Sequence, residues 1–293
     1  MRAVVLLLLC GNAVAASESE TPLFDYAREL PFVSVYTERS LSRELAQAHY
    51  AIEHNPPPKE NCSRTLGANL FASMYDNLAS VQATLGDSGG AIENFRKSLA
   101  CNPRDPGVRA ALASALMHID RIAEARAEAE RGRAIDPEDA ASSSTLMQLD
   151  FIEGRWPQVI ARLREMLGWT SDVERATYWE CFLWLAQRRS GIREPDDSAS
   201  DLTDDWPRPV LEALRGALTE NDVLDVLREE GNDRRQREML CEALYYIGQT
   251  RLANGDTENA RLYFTAAVNL KVMYFIEHHL ALAELTKMLA QSP

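Results

Sequence analysis

The chain reads as an all-α protein built from antiparallel helix pairs stacked side by side. Two observations predict this class. Apolar and small residues recur at helical spacing along most of the sequence, and no stretch alternates as a strand would. In addition, GGAIENFRKSLACNP and IAEARAEAERGRAIDP match at an offset of about 34 residues, setting Ala91, Phe95 and Pro103 against Ala125, Ala129 and Pro137. A helix pair of that size cannot bury its apolar face alone. It must stack on neighbours, and the stack presents a long concave surface.

Residues 1–15, MRAVVLLLLCGNAVA, carry one charge at Arg2, a short apolar run and Ala13-Val14-Ala15 as a cleavage site, the pattern of an export signal. The run is too short to span a bilayer. Cys10 opens a second reading, a lipid anchor in the outer membrane. Leu9 stands where a lipoprotein signal wants Gly, Ala or Ser, so cleavage after Ala15 and release into the periplasm is the expectation. Residues 16–58 should hold an extended arm to Pro31 and an amphipathic helix over Ser40–His54, with Leu41, Leu45, Ala48 and Ile52 on one face. Pro56-Pro57-Pro58 stops that helix.

Residues 59–191 are expected as an N-terminal array with repeats over Ala72–Asp105, Pro106–Asp139 and Ala140–Val173. An aromatic helix over Asp172–Arg189 follows, with Tyr178, Trp179, Phe182 and Trp184. Turns such as Gly86-Asp87 separate the helices of each pair, and alternating small and large residues let them approach closely. Residues 192–209, rich in Pro, Ser and Asp, read as an acidic linker. Residues 210–293 should supply two short helices, a strong last repeat around Gly248 and Gly255-Asp256, and a capping helix over Met273–Ala290.

The formal charge of −13, about −14 once Arg2 leaves with the signal, argues against a nucleic-acid partner. Neutralising phosphates needs an excess of Lys and Arg. No nucleophile–base pairing, zinc spacing or phosphate loop stands in the sequence, so neither cofactor nor metal is expected. His278 and His279 are neighbours, which point to different faces of a helix and cannot chelate together. The aspartates between Asp196 and Asp205 lack calcium-loop spacing. Arg234-Arg235-Gln236-Arg237 either balances Glu229-Glu230 or forms a contact patch for an acidic partner.

Export would leave Cys62, Cys101, Cys181 and Cys241, which allow three disulfide connectivities. Cys62 precedes the helix that pairs with the one ending at Cys101, so Cys62–Cys101 is the candidate bridge. Cys181 and Cys241 sit mid-helix and are expected in the core. Aligning the repeats on Ala91, Ala125 and Ala260 assigns side chains to the concave surface. They are Asp76, Asn77 and Ser80 from the first repeat, Ser114 and His118 from the second, Gln148 from the third, and Tyr245, Tyr246 and Gln249 from the last. So few cations do not suit capture of a C-terminal carboxylate; contact with the backbone of a folded or extended protein fits better.

The period, the small residues at Ala91, Ala125 and Ala260, and the closing proline resemble tetratricopeptide (TPR) repeats. Trp206-Pro207, Leu211 and Gly216 are followed by Tyr245/Gly248, Gly255-Asp256, Ala260, Phe264, Ile276-Glu277-His278 and Ala281-Leu282/Leu285. In that order they are similar to the NlpI family of bacterial TPR lipoproteins. The resemblance implies a periplasmic homodimer without catalytic activity, which holds peptidoglycan endopeptidases and delivers them to a processing protease. The function expected is therefore an exported scaffold that binds cell-envelope proteins. A pilus or outer-membrane assembly factor is the alternative in the same structural class. An enzyme with a site around His118 or Glu277 is the alternative in a different one.

Overall fold

The computed structural model describes residues 22–29, 38–56, 62–192, 205–272 and 275–290. The export signal with Cys10, and residues 193–204 of the acidic stretch, lie outside these. All secondary structure among the described residues is helical. Helix α1 spans Pro22–Glu29, α2 Glu38–His54, α3 Ala68–Thr84, α4 Ser88–Cys101, α5 Pro106–Met117, α6 Ile122–Ile135 and α7 Ala140–Ile152. Then come α8 Trp156–Trp169, α9 Val173–Arg189, α10 Arg208–Arg215, α11 Glu220–Glu229, α12 Asp233–Ala253, α13 Thr257–Asn269 and α14 Ile276–Ala290. The chain divides into two units, one within Ser34–Trp169 and one joining Met1–Val33 to Thr170–Pro293.

In the first unit α3 pairs with α4, α5 with α6 and α7 with α8, while the first helices α3, α5 and α7 also pack in sequence. Aspartates start three of these helices. The Asp87, Asp105 and Asp139 carboxylates accept from the backbone N–H of Gly90, Val108 and Ser142, satisfying donors that a helix start leaves orphaned. The turn inside each pair has one geometry. Gly86, Asp120 and Gly154 adopt φ of 80°, 64° and 69°. The N–H of the following residue reaches back to the carbonyls of Gln82, Leu116 and Asp150. This left-handed closure satisfies the last carbonyls of the first helix. Gly255, with φ 83°, and Asp256, bonded to the Arg251 carbonyl, repeat it in the second unit. The sequence period is thus a backbone period.

Ala79, Ala91, Phe95, Leu112, Ala113, Leu116, Ala125, Ala129, Leu146 and Leu149 form a continuous core through these pairs. Small residues set how closely the helices approach: a Cβ on Gly132 would lie 2.1 Å from Ser142 Oγ and 3.3 Å from the Pro106 carbonyl. Arginines reach the next rung of the stack, with Arg96–Glu124 at 3.3 Å, Arg126–Glu153 at 2.7 Å and Arg133–Glu165 at 2.5 Å. Buried Asp150 takes Arg126 at 2.8 Å and Arg162 at 3.2 Å, tying α6, α7 and α8 together. Cys62 and Cys101 are joined in a disulfide at the end of the first pair, where Ser98 Oγ also donates to the Ala72 carbonyl. Its sequence separation of 39 corresponds to about 4 kcal/mol of loop-closure entropy removed from the unfolded chain.

In the second unit α12 pairs with α13, α14 packs on both, and α9, α10 and α11 lie against α12. Cys181 and Cys241 are buried there as free thiols. Two expectations change. Residues 22–29 of the expected extended arm form α1, which packs on α11, α12 and α13, because Leu23, Tyr26 and Ala27 fall on one helical face and Leu23 is fully buried. Helix α9, expected in the array ending at residue 191, falls with the C-terminal helices.

Asp120 is the one non-glycine among these four equivalent turn positions, held where a Cβ is strained. Asp120→Gly should therefore stabilise the first unit by about 0.5–1 kcal/mol, whereas Gly154→Ala should cost about 1 kcal/mol or more. Urea unfolding midpoints measure both, and an unchanged or lowered midpoint for Asp120→Gly would contradict the shared turn geometry.

Candidate functional site

The residues assigned to a single concave surface divide between the two units and differ in access. On the first helices of the first unit, Asn77 and Ser80 are exposed, and Asp76, Ser114 and His118 are half-buried. Gln148 is only 7% exposed and donates to Ser144 Oγ of its own helix at 3.4 Å, so it does not present an open surface. Burial and the nearby Asp105 carboxylate both raise the Asp76 carboxyl above its ordinary range. His118 is the C-cap residue of α5. The face is polar and weakly acidic. It suits hydrogen bonding to a protein chain more than anchoring a phosphate or a free carboxylate.

Tyr245, Tyr246 and Gln249 do not face an open groove; all three are fully buried. Helix α9 accounts for this correction, since it packs against α12 and fills the face that the repeat alignment left open. Phe182 meets the Tyr246 ring edge-on at 5.3 Å, Tyr245 lies 6.1 Å from Phe264, and Arg189 donates to the Gln249 side-chain oxygen. Gln249 Nε2 donates in turn to the Tyr245 hydroxyl at 3.3 Å. The aromatic content of α9 was the signal in the sequence, but repeat alignment does not say what covers a face.

Beneath α9 lies a buried carboxyl pair. Tyr178 OH donates to the Glu242 carboxylate at 3.2 Å, the Trp206 indole N–H donates to the same carboxylate, and Tyr246 OH donates to Glu277 at 2.9 Å. Burial raises both carboxyls, Glu242 strongly, and the Glu277 charge pushes Glu242 further; the Trp206 bond and the Arg235 charge act in the opposite sense. Burial also raises the Cys181 and Cys241 thiols and lowers neighbouring His278 to about 4. The thiols therefore stay protonated and the imidazole neutral at neutral pH. Among the described residues no group of three or more His, Cys, Asp and Glu has metal-holding geometry. No described helix is long and apolar enough to cross a membrane.

Sequence reasoning missed one feature of the first unit. A cleft of about 560 Å³ lies between α4 and the α5–α6 turn, floored by Ile92, Ala100 and Ile119 and rimmed by Arg96, Lys97 and Arg121. Arg96 and Arg121 both pair with Glu124, and Lys97 pairs with Glu93, so the rim charges are largely balanced internally. The signal was the solvent-facing Ile119 in a turn.

The tetratricopeptide-repeat family model matches residues 83–149, spanning α4, α5, α6 and most of α7. Similarity to tetratricopeptide repeats is thus shown for this stretch of the chain. Among solved structures, a TPR protein from Parabacteroides merdae ATCC 43184 is 14% identical, with a TM-score of 0.47, covering 91% of this chain and 87% of that one. The MamA protein is 16% identical with a TM-score of 0.38, covering 69% of this chain and 92% of its own. The all-helical secondary structure of the described residues and the family match over 83–149 make the fold class all-α and of the TPR helical-repeat type.

The carboxyl pair gives a pH dependence of definite sign. An acid raised above its ordinary value of 4.5 on folding adds stability that is fully present below that value and lost as pH rises through the raised folded pKa. Glu242→Gln keeps an acceptor for Trp206 but cannot ionise. The advantage of this variant over the natural chain should grow as pH rises above the ordinary carboxyl value of 4.5. Urea unfolding at several pH values, followed by tryptophan fluorescence, measures it; an advantage that shrinks with pH would contradict the buried pair.

Proposed function

We propose that this protein is an exported, non-enzymatic scaffold that binds other proteins of the cell envelope through the first-helix face of its Ser34–Trp169 unit. The observation that carries the reading is the contrast between two equivalent faces. On α3, in the first helix pair, Asn77 and Ser80 remain open to solvent, while the corresponding positions of the last repeat are filled by the protein's own α9. An open polar face on stacked helix pairs is a surface for holding polypeptide.

The partners proposed are peptidoglycan hydrolases or a protease that processes them, and the similarity of the C-terminal third to the NlpI family supports that choice. The same similarity supports a homodimer. The signal-like residues 1–15 support export to the periplasm, with release after Ala15 favoured over a lipid anchor at Cys10. The acidic balance disfavours nucleic acid.

Asn77→Arg with Ser80→Arg places bulk and charge on the open face at two exposed positions, without touching the core. The natural chain should recover envelope hydrolases or a protease from envelope extract, and the double variant at least tenfold less, about 1.4 kcal/mol of binding. Quantitative pull-down with mass spectrometry reads this, circular dichroism confirming equal helicity. Recovery of pilus or outer-membrane assembly components instead would favour the assembly-factor reading, and equal recovery by both chains would contradict the assigned face.

A further inference from the structure

Among the described helices of the second unit, α1 is the one that sequence does not attach to its neighbours. It ends at Glu29, and the chain then runs through the whole Ser34–Trp169 unit before the second unit resumes. It packs against α11, α12 and α13. Those contacts are specific. Leu23 is fully buried, Phe24, Tyr26 and Ala27 are half-buried, and Arg28 stays in solvent. The Arg228 guanidinium of α11 sits 5.7 Å from the centroid of the Tyr26 ring, a cation–π contact. With eight residues, α1 is far below the length at which a helix persists unaided in water, so its helical form depends on the surface beneath it.

An amphipathic segment laid with its apolar face into a groove between other helices is a recurring mode of peptide recognition. We propose that the surface made by α11, α12 and α13 is a receptor for a short amphipathic helix, and that α1 is its resident, self-supplied ligand. A partner displaces α1 by presenting a helix of the same chemistry. That helix carries an apolar anchor in place of Leu23, an aromatic ring three residues on to meet Arg228, and a small residue beside it in place of Ala27. Displacement is feasible because a tethered ligand competes only through its effective concentration, which falls as the tether lengthens. The inference rests on the binding-protein reading but concerns a different surface from the open face of the first unit.

The test uses a fluorescent peptide of residues 20–31 and three proteins: the mature chain, the same chain begun at Ser34, and full-length Leu23→Asp. The shortened chain and Leu23→Asp should remain folded and bind the peptide, while the intact chain binds it roughly tenfold or more weakly. The peptide carrying Leu23→Asp should bind none of them. Absence of peptide binding to a folded shortened chain, or equal binding by all three proteins, would overturn the proposal. So would loss of cooperative unfolding of the second unit on removing α1, since α1 would then be part of its core. The envelope pull-down reads the other unit, so the two results separate failure of this site from failure of the scaffold reading.

Discussion

Two helices of a hairpin can pack only as closely as the bulkiest side chain between them allows, and this chain meets that constraint by setting a small residue opposite a ring. In the last repeat a Cβ on Gly248 would lie 2.8 Å from Phe264 Cε1 and 3.1 Å from Tyr263 Cβ. Ala79 and Phe95 hold the matching positions in the first repeat, and both are buried in its core. Contact at this distance fixes the crossing of the pair and the rotation of each helix about its axis. The faces presented to neighbours follow from that rotation. Packing at interior density leaves no slack for a different choice.

The same geometry serves two ends. In the first unit the rung-to-rung pairs, above all Arg126 on buried Asp150, hold successive helix pairs in register and leave a polar face open, while Arg162 meets the same carboxylate within one pair. In the second unit the corresponding face is internal. Helix α9 brings Tyr178 to Glu242, Trp206 adds its indole N–H, and Tyr246 satisfies Glu277. Interior carboxyls are tolerated there because each has hydrogen-bond donors and is held toward its neutral form by burial. The Cys62–Cys101 bridge secures the end of the stack where the first pair begins.

Much of this was legible in the residues, for reasons that can be stated. The offset between Ala91 and Ala125 and the turn at Gly86-Asp87 encode the repeat, because each side chain there answers a local backbone demand. Helix α1 was not legible: eight residues give about two turns of pattern, too little to stand out from an extended arm. The burial of Tyr245, Tyr246 and Gln249 was missed because repeat alignment assigns a face to each residue but not the element that comes to lie on it. Glu242 and Glu277 could not be read as interior groups, since glutamate on a helix is ordinarily a solvated residue; the arrival of α9 and Trp206 makes it otherwise for Glu242, and Tyr246 for Glu277.

The close helix–helix contact is tested most directly by thermal and urea unfolding of Gly248→Ala beside Gly168→Ala, a helical glycine with nothing within 4 Å of its added Cβ. Alanine ordinarily favours a helix over glycine by roughly 0.5–1 kcal/mol, so Gly168→Ala should be neutral or stabilising. Gly248→Ala should instead lose about 1–3 kcal/mol, as the ring of Phe264 is forced from its place. A Gly248→Ala chain as stable as the natural one would mean the hairpin helices do not meet at that distance, and the account of the stack would fail with it.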